Sequence, residues 1–281
     1  MAKLIGDSIN ASDISQYCES ESDFAFELQT LALLNELGAS CEHGGMYEDP
    51  VTQKARQFDI RGLFEISPTR RVRLAVECKN VRPNYPLVVL TVPRRDEESY
   101  HEFIHTWAPR DTLSIPGLPE RNGETIRLNG PGSAYPCSEP VGKSCCQVGR
   151  DTTGAFRQSD SEAYDKWSQA IQSAHELVDI AQEDWKLSHE KDAGTLVLAV
   201  LVVPDQRLWT VHYDNDGATI GEPSLEERAS LYVNKFVPSS NRHPFIGLWL
   251  SHIEVVTHIG LRELVDNLKS GHPASWFGLY E

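Results

Sequence analysis

The stretch Val72-Arg-Leu-Ala-Val-Glu-Cys-Lys-Asn80, read with Phe58-Asp-Ile-Arg-Gly62, decides the fold. Both segments alternate with the period of two that a pleated strand imposes. In the later one Val72, Leu74, Val76 and Cys78 point one way, and Arg71, Arg73, Glu77 and Lys79 the other. In the earlier one Phe58, Ile60, Phe64 and Ile66 are the apolar set, opposite Gln57, Asp59, Arg61 and Glu65. Ser67-Pro-Thr-Arg70 between them has turn composition, so the two strands are expected to pair as a hairpin. If the core takes both apolar faces, Asp59, Glu77 and Lys79 share the other face. That alignment requires an odd number of loop residues and sets Asp59 opposite either Glu77 or Lys79. Two carboxylates and an ammonium on one patch suit a hard divalent cation with an attached water. The competing reading is a polar sheet face carrying ordinary ion pairs, which contribute little.

A helix precedes the hairpin. At 100° per residue, Phe24, Leu28, Leu31 and Leu34 form its expected inward arc, with Ser22, Gln29 and Glu36 opposite. Glu27 falls on the apolar side, between Leu31 and Leu34. An inward carboxylate costs several kcal/mol, in order of magnitude, unless it is paired or coordinated. A metal site beneath the helix would remove that cost, as would a nearby Arg.

Helix, Asp strand, turn and acid-x-Lys strand, in that order, resemble the catalytic core of the PD-(D/E)XK nuclease superfamily, the restriction-endonuclease-like fold. The matching positions are Asp59, Glu77 and Lys79. Phe26-Glu27, followed by Leu31, Leu33, Leu34 and Leu37-Gly38, resembles the helix of methyl-directed restriction enzymes and Holliday-junction resolvases in that superfamily. The resemblance covers roughly residues 20 to 81, and no Pro precedes Asp59. It implies an α/β fold with a mixed central sheet flanked by helices. It also implies hydrolysis of phosphodiester bonds in nucleic acid, DNA being the first expectation, with Mg²⁺ or Mn²⁺ as cofactor. Asp59 and Glu77 would hold the cation, with Glu27 direct or through water, and Lys79 would orient the attacking water. The rival within the same fold is a descendant that binds a partner without cleaving.

At 281 residues the chain can bury a full core, as one domain over 1–281 with an insertion. Residues 94–157 read as that insertion, irregular and rich in Pro and Gly, as in Asn129-Gly-Pro-Gly132 and Tyr135-Pro-Cys-Ser-Glu-Pro140. Six Cys without a CxxC pair, and no apolar signal segment or membrane-length run, lead to the expectation of a reduced cytoplasmic protein. Nothing specifies oligomeric state, a homodimer being one option.

The net charge of −15 is not the footprint of a protein that coats nucleic acid. Affinity for phosphate must then come from local groups. Arg71 and Arg73, on the face of the acids, are the first candidates, and Lys143, Gln147 and Arg150 of the insertion the next. Cys78 points away from the acids and reads as a core residue.

Beyond the hairpin an α/β rhythm continues. Leu87–Val92 reads as a short strand, and Ser159-Asp-Ser-Glu162 opens a helix to about Leu187 with Trp167, Ile171, Ala174, Val178 and Ala181 inward. Leu196–Val203 reads as a central strand covered on both faces, with Arg207–Tyr213 as its neighbour. A strand over Phe245–Val256 and a closing helix from His258 to Leu268 follow. His101-Glu102-Phe-Ile-His105 matches the HExxH pattern, which on a helix puts two imidazoles on one face for zinc and makes the Glu a general base of a peptidase. Its acidic flank and the nearby Pro109 favour a short amphipathic helix instead. Gly142-Lys-Ser144 lacks the upstream Gly and strand of a phosphate-binding loop.

Overall fold

The computed structural model describes residues 6, 8–20, 22–49, 52–108, 123–188, 192–239, 247–270 and 276–278. The first half comprises α1 (Ala11–Ser20), α2 (Phe24–Glu36), β1 (Ser40–His43), β2 (Met46–Glu48), β3 (Ala55–Gln57), β4 (Ile60–Ser67) and β5 (Arg70–Cys78). Strands β6 (Leu87–Pro93), β7 (Tyr100–Thr106), β8 (Gly123–Asn129), β9 (Pro140–Arg150) and β10 (Phe156–Ser159) follow. The remainder is α3 (Ser161–Ala181), β11 (Ala193–Val202), β12 (Leu208–Tyr213), β13 (Thr219–Leu225), β14 (Arg228–Pro238), β15 (Gly247–Val256) and α4 (His258–Lys269). This is a mixed α/β architecture. One sheet takes the order β1-β4-β5-β11-β15-β14-β9-β6-β12-β13, with β10 on β9 and β7 bridging β11 and β8.

The hairpin forms as expected. β4 and β5 pair antiparallel from Ile60↔Val76 to Glu65↔Arg71, then slip to Ser67↔Arg70. The bulge at Ile66 supplies the odd residue, so Pro68 and Thr69 alone turn the chain and Asp59 comes opposite Glu77. Val72, Leu74, Val76 and Cys78 enter a core shared with Phe26, Leu33 and Leu34 of α2 and Leu261, Leu264 and Val265 of α4. The other face of β5 meets α3, where Ala75 packs with Ala170, Ala174 and Val178. β11 contributes Leu198 and Val200 to one core and Val197 and Ala199 to the other, which is why its sequence shows no alternation.

Helix α2 ends in a Schellman arrangement: Gly38, at φ 87°, donates to the Asn35 carbonyl and Ala39 to that of Leu34. Its inward arc is Phe26, Thr30, Leu33 and Leu34, whereas Phe24 and Leu28 are exposed. The expected arc is therefore rotated. Apolar residues surround much of this helix, so periodicity alone could not select the buried side.

Residues 94–157 do not form the expected irregular insertion, although 109–122 lie outside the described residues. They supply β7 through β10, and β9 is an interior strand bonded to β6 antiparallel and to β14. Among the described residues, Gly130, Pro131, Gly132, Pro136 and Gly154 lie in the connections, and Gly123, Pro140, Gly142 and Gly149 lie within strands. Arg207–Tyr213 was expected beside β11; instead β12 pairs with β6 in parallel and with β13.

A buried carboxylate pair bridged by a lysine

The end of the hairpin brings Asp59 and Glu77 together. The Asp59 amide donates to Glu77 Oε1 at 3.4 Å, and Asp59 Oδ2 accepts from the Cys78 amide at 2.8 Å. Glu77 is 0% exposed and Asp59 9%. Between them lies Lys166 of α3, its Nζ 2.8 Å from Asp59 Oδ2 and 3.4 Å from Glu77 Oε2. Burial, reinforced by the Asp59 charge, pushes the Glu77 pKa well above its usual range, and Lys166 offsets only part of this. For Lys166 burial works against the charge, but the two carboxylates outweigh it and raise its pKa.

Glu27 sits in the first turn of α2, whose start is tied to the end of β5. There Asp23 accepts from the Asn80 amide at 2.8 Å instead of capping its own helix. The Glu27 carboxylate lies 3.5 Å from His43 Nε2. Its pKa is raised by burial and then by Asp59, with Lys166 and His43 opposing. Glu27 thus belongs to the electrostatic field of the pair, while its closest ionic partner is a histidine. Tyr47 borders the same region, its pKa pushed up to about 12 by burial and by Glu77, and its hydroxyl has no hydrogen-bond partner among the described residues.

Lys79 stands differently. Its amide donates to the Val202 carbonyl, and its ammonium lies 3.5 Å from Asp23 Oδ2 and 3.1 Å from Glu162 Oε2. The ammonium that meets Asp59 and Glu77 belongs to Lys166, which sequence reasoning missed. A signal for it existed: Lys166 continues the buried row Ala163, Ala170, Ser173 and Leu177 at helical spacing, an inward lysine as anomalous as the inward Glu27.

The proposed phosphate ligands are otherwise engaged. Arg73 donates to both Asp184 oxygens, from Nε at 3.0 Å and Nη2 at 2.5 Å, and Arg71 Nη1 to Ser188 Oγ at 2.6 Å. Both side chains are buried between β5 and the turn that follows α3. Their alternation was read correctly, but that face is covered by α3 and its following turn instead of facing a substrate. Lys143 pairs with the buried Glu98, and Gln147 is buried with its amide donating to the Tyr85 carbonyl at 3.1 Å.

His101 and His105 lie on strand β7, not on a helix. Residues four apart on a strand are separated by ~13 Å, too far for one zinc ion. The His101 ring is held by Ser133 and the Trp276 carbonyl, and Glu102 by Arg127 and the Trp249 amide, which removes the basis for the peptidase alternative.

Among the described residues no group of three or more His, Cys, Asp or Glu is placed to hold a metal. Asp59 and Glu77 supply hard oxygen donors, the type that Mg²⁺ takes, and the Lys166 ammonium holds the cationic position between them. No family model, curated protein or solved structure matches this chain. None of the described helices is long and apolar enough to cross a membrane.

Proposed function

We propose that this protein is a Mg²⁺- or Mn²⁺-dependent phosphodiester hydrolase of the cytoplasm, acting on nucleic acid, DNA first, and built on a restriction-endonuclease-like core. The observation that carries the reading is the pair Asp59 and Glu77, buried, opposed across the hairpin and converging on a single cationic group. Burying two like charges side by side is costly, and one lysine leaves the cluster with excess negative charge. Such an imbalance is the usual sign of a site kept for chemistry.

In this reading Asp59 and Glu77 hold the cation, with Glu27 behind them. A divalent cation bound there polarises the scissile phosphate and lowers the pKa of an attached water. Lys166 moves off the carboxylates toward the phosphate, where its ammonium stabilises developing charge. Glu27 retains a proton more readily than a free carboxyl and can take one from the attacking water. Lys79 ties the start of α2, through Asp23, to Glu162 of α3 instead of contacting the water.

A second reading has its own observation. Lys166 and Lys79 between them partner four acids, which is also what a nuclease fold retained only for binding would show. Incubating single- and double-stranded DNA and RNA with the protein in Mn²⁺ or Mg²⁺ separates the two. Cleavage is expected, abolished by EDTA and reduced ~10²–10³-fold in Lys166→Met. Absence of cleavage across the whole panel would overturn the hydrolase reading.

A further inference from the structure

A groove of about 660 Å³ opens between α3 and strands β9 and β14, and neither Asp59, Glu77 nor Lys166 lines it. Its size is that of a small-molecule site. Its strand side is lined by Lys143 and Lys235, and Asp160 is the carboxylate among its lining residues. With the Lys143 charge matched by Glu98, Lys235 is the lysine of this lining left to meet an anion, in a chain of net charge −15. Lys143 is partly committed, to Glu98 and across the Tyr232 ring, with Nζ 4.8 Å from the ring centroid. Lys235 is exposed and has no carboxylate partner among the described residues. Its charge reaches into the groove, where burial and then Lys235 lower the His175 pKa.

The helix side adds aromatic surface. Tyr164 and Trp167 pack edge to face, centroids 4.5 Å apart, and Tyr164 remains 52% exposed. An exposed ring packed edge to face on a half-buried one is a stacking platform whose orientation is already restricted, so less entropy is lost when a planar group settles on it. Ser168 and Gln172, one and two turns past Tyr164 along α3 and hydrogen-bonded to each other, line the same space.

We propose that this groove binds a nucleotide, its base stacked on Tyr164 and its phosphate held by Lys235. Either a free nucleotide or one unit of a single strand presents that chemistry. Calorimetric titration of the whole protein in EDTA, with no metal at the carboxylate pair, uses AMP, adenosine, inorganic phosphate and a six-residue oligodeoxyadenylate. Saturable binding of AMP or of the oligomer is expected, at least about tenfold tighter than adenosine or phosphate, ~1.4 kcal/mol. Oligomer binding well above that of AMP assigns the groove to a strand, and equal affinities assign it to free nucleotide. Lys235→Ala and Tyr164→Ala, both at exposed positions and checked for parental melting temperature, should each weaken binding about tenfold. No saturable binding of AMP or the oligomer overturns the proposal. So does phosphate binding as tightly as AMP, or parental affinity in both variants.

Discussion

The two ends of β5 carry buried charge on the same face, beneath α3 and the turn after it, and they resolve it differently. At the Arg73 end one guanidinium meets one carboxylate in a two-pronged contact, and Thr195 Oγ1 satisfies Asp184 further at 2.7 Å. Within the Arg73–Asp184 pair charge and hydrogen bonds close, while the neighbouring Arg71 donates to Ser188 and its Nε has no hydrogen-bond partner among the described residues. At the Glu77 end one ammonium serves two carboxylates, with Glu27 adding to the negative field, and Glu77 takes up a proton far more readily than a free carboxyl. A closed pair fastens α3 and its following turn to the sheet. The open cluster works against the fold unless something positive enters it, and that asymmetry distinguishes a structural contact from a site.

The largest expected effect tests the closed end. Asp184→Ala leaves the Arg73 charge buried and unpaired, so unfolding in urea should show a loss of ~3–5 kcal/mol, unchanged by Mn²⁺. Glu77→Gln tests the open end. Without metal it should melt at or above the parent temperature, because a buried like charge is gone. Mn²⁺ at about 100 times its Kd should stabilise the parent by ~2.7 kcal/mol and this variant much less. Equal stabilisation of both proteins would dissolve the contrast between the two ends.

Acidity sharpens the same comparison. A carboxyl whose folded pKa is raised favours folding while it is protonated. The parent should therefore lose stability relative to Glu77→Gln as pH rises from about 4.5 through the higher folded pKa of Glu77, and the difference should then level off. Denaturation midpoints measured in EDTA from pH 4 upward report it; a difference independent of pH would mean that Glu77 is not held against its charge. The smallest effect belongs to Lys79→Ala. Its partners are half-buried or exposed, so stability should change by less than ~1 kcal/mol, and cleavage should fall much less than in Lys166→Met. A larger loss in Lys79→Ala than in Lys166→Met would return the water-positioning role to Lys79.

Much of the hairpin was legible because its signals are local. Alternation placed Asp59 and Glu77 on one face, and turn composition placed the reversal, although the bulge at Ile66 chose between the two possible registers. The inward anomaly of Glu27 was legible too, since its pKa is raised as a carboxyl beneath a helix should be. The sequence around His101 misled in both of its readings. His101-x-x-x-His105 suits a helix by spacing, but β7 is held as a strand by pairing with β8 and with the start of β11. Those partners lie far along the chain, where no short window can find them.

Sequence alone determined that Asp59 and Glu77 share one face of the hairpin, the two-faced burial of β11 and the helices before and after, because period and turn chemistry act over a few residues. Tertiary structure decided which lysine reaches the acids, that Arg71 and Arg73 are covered, and that residues 94–157 build sheet. The first two depend on where α3 lies, the last on strand pairing with β6, β11 and β14. Once α3 crosses β5 and β11, Lys166 is carried to the carboxylates and Asp184 to Arg73, a placement fixed by packing between segments about a hundred residues apart.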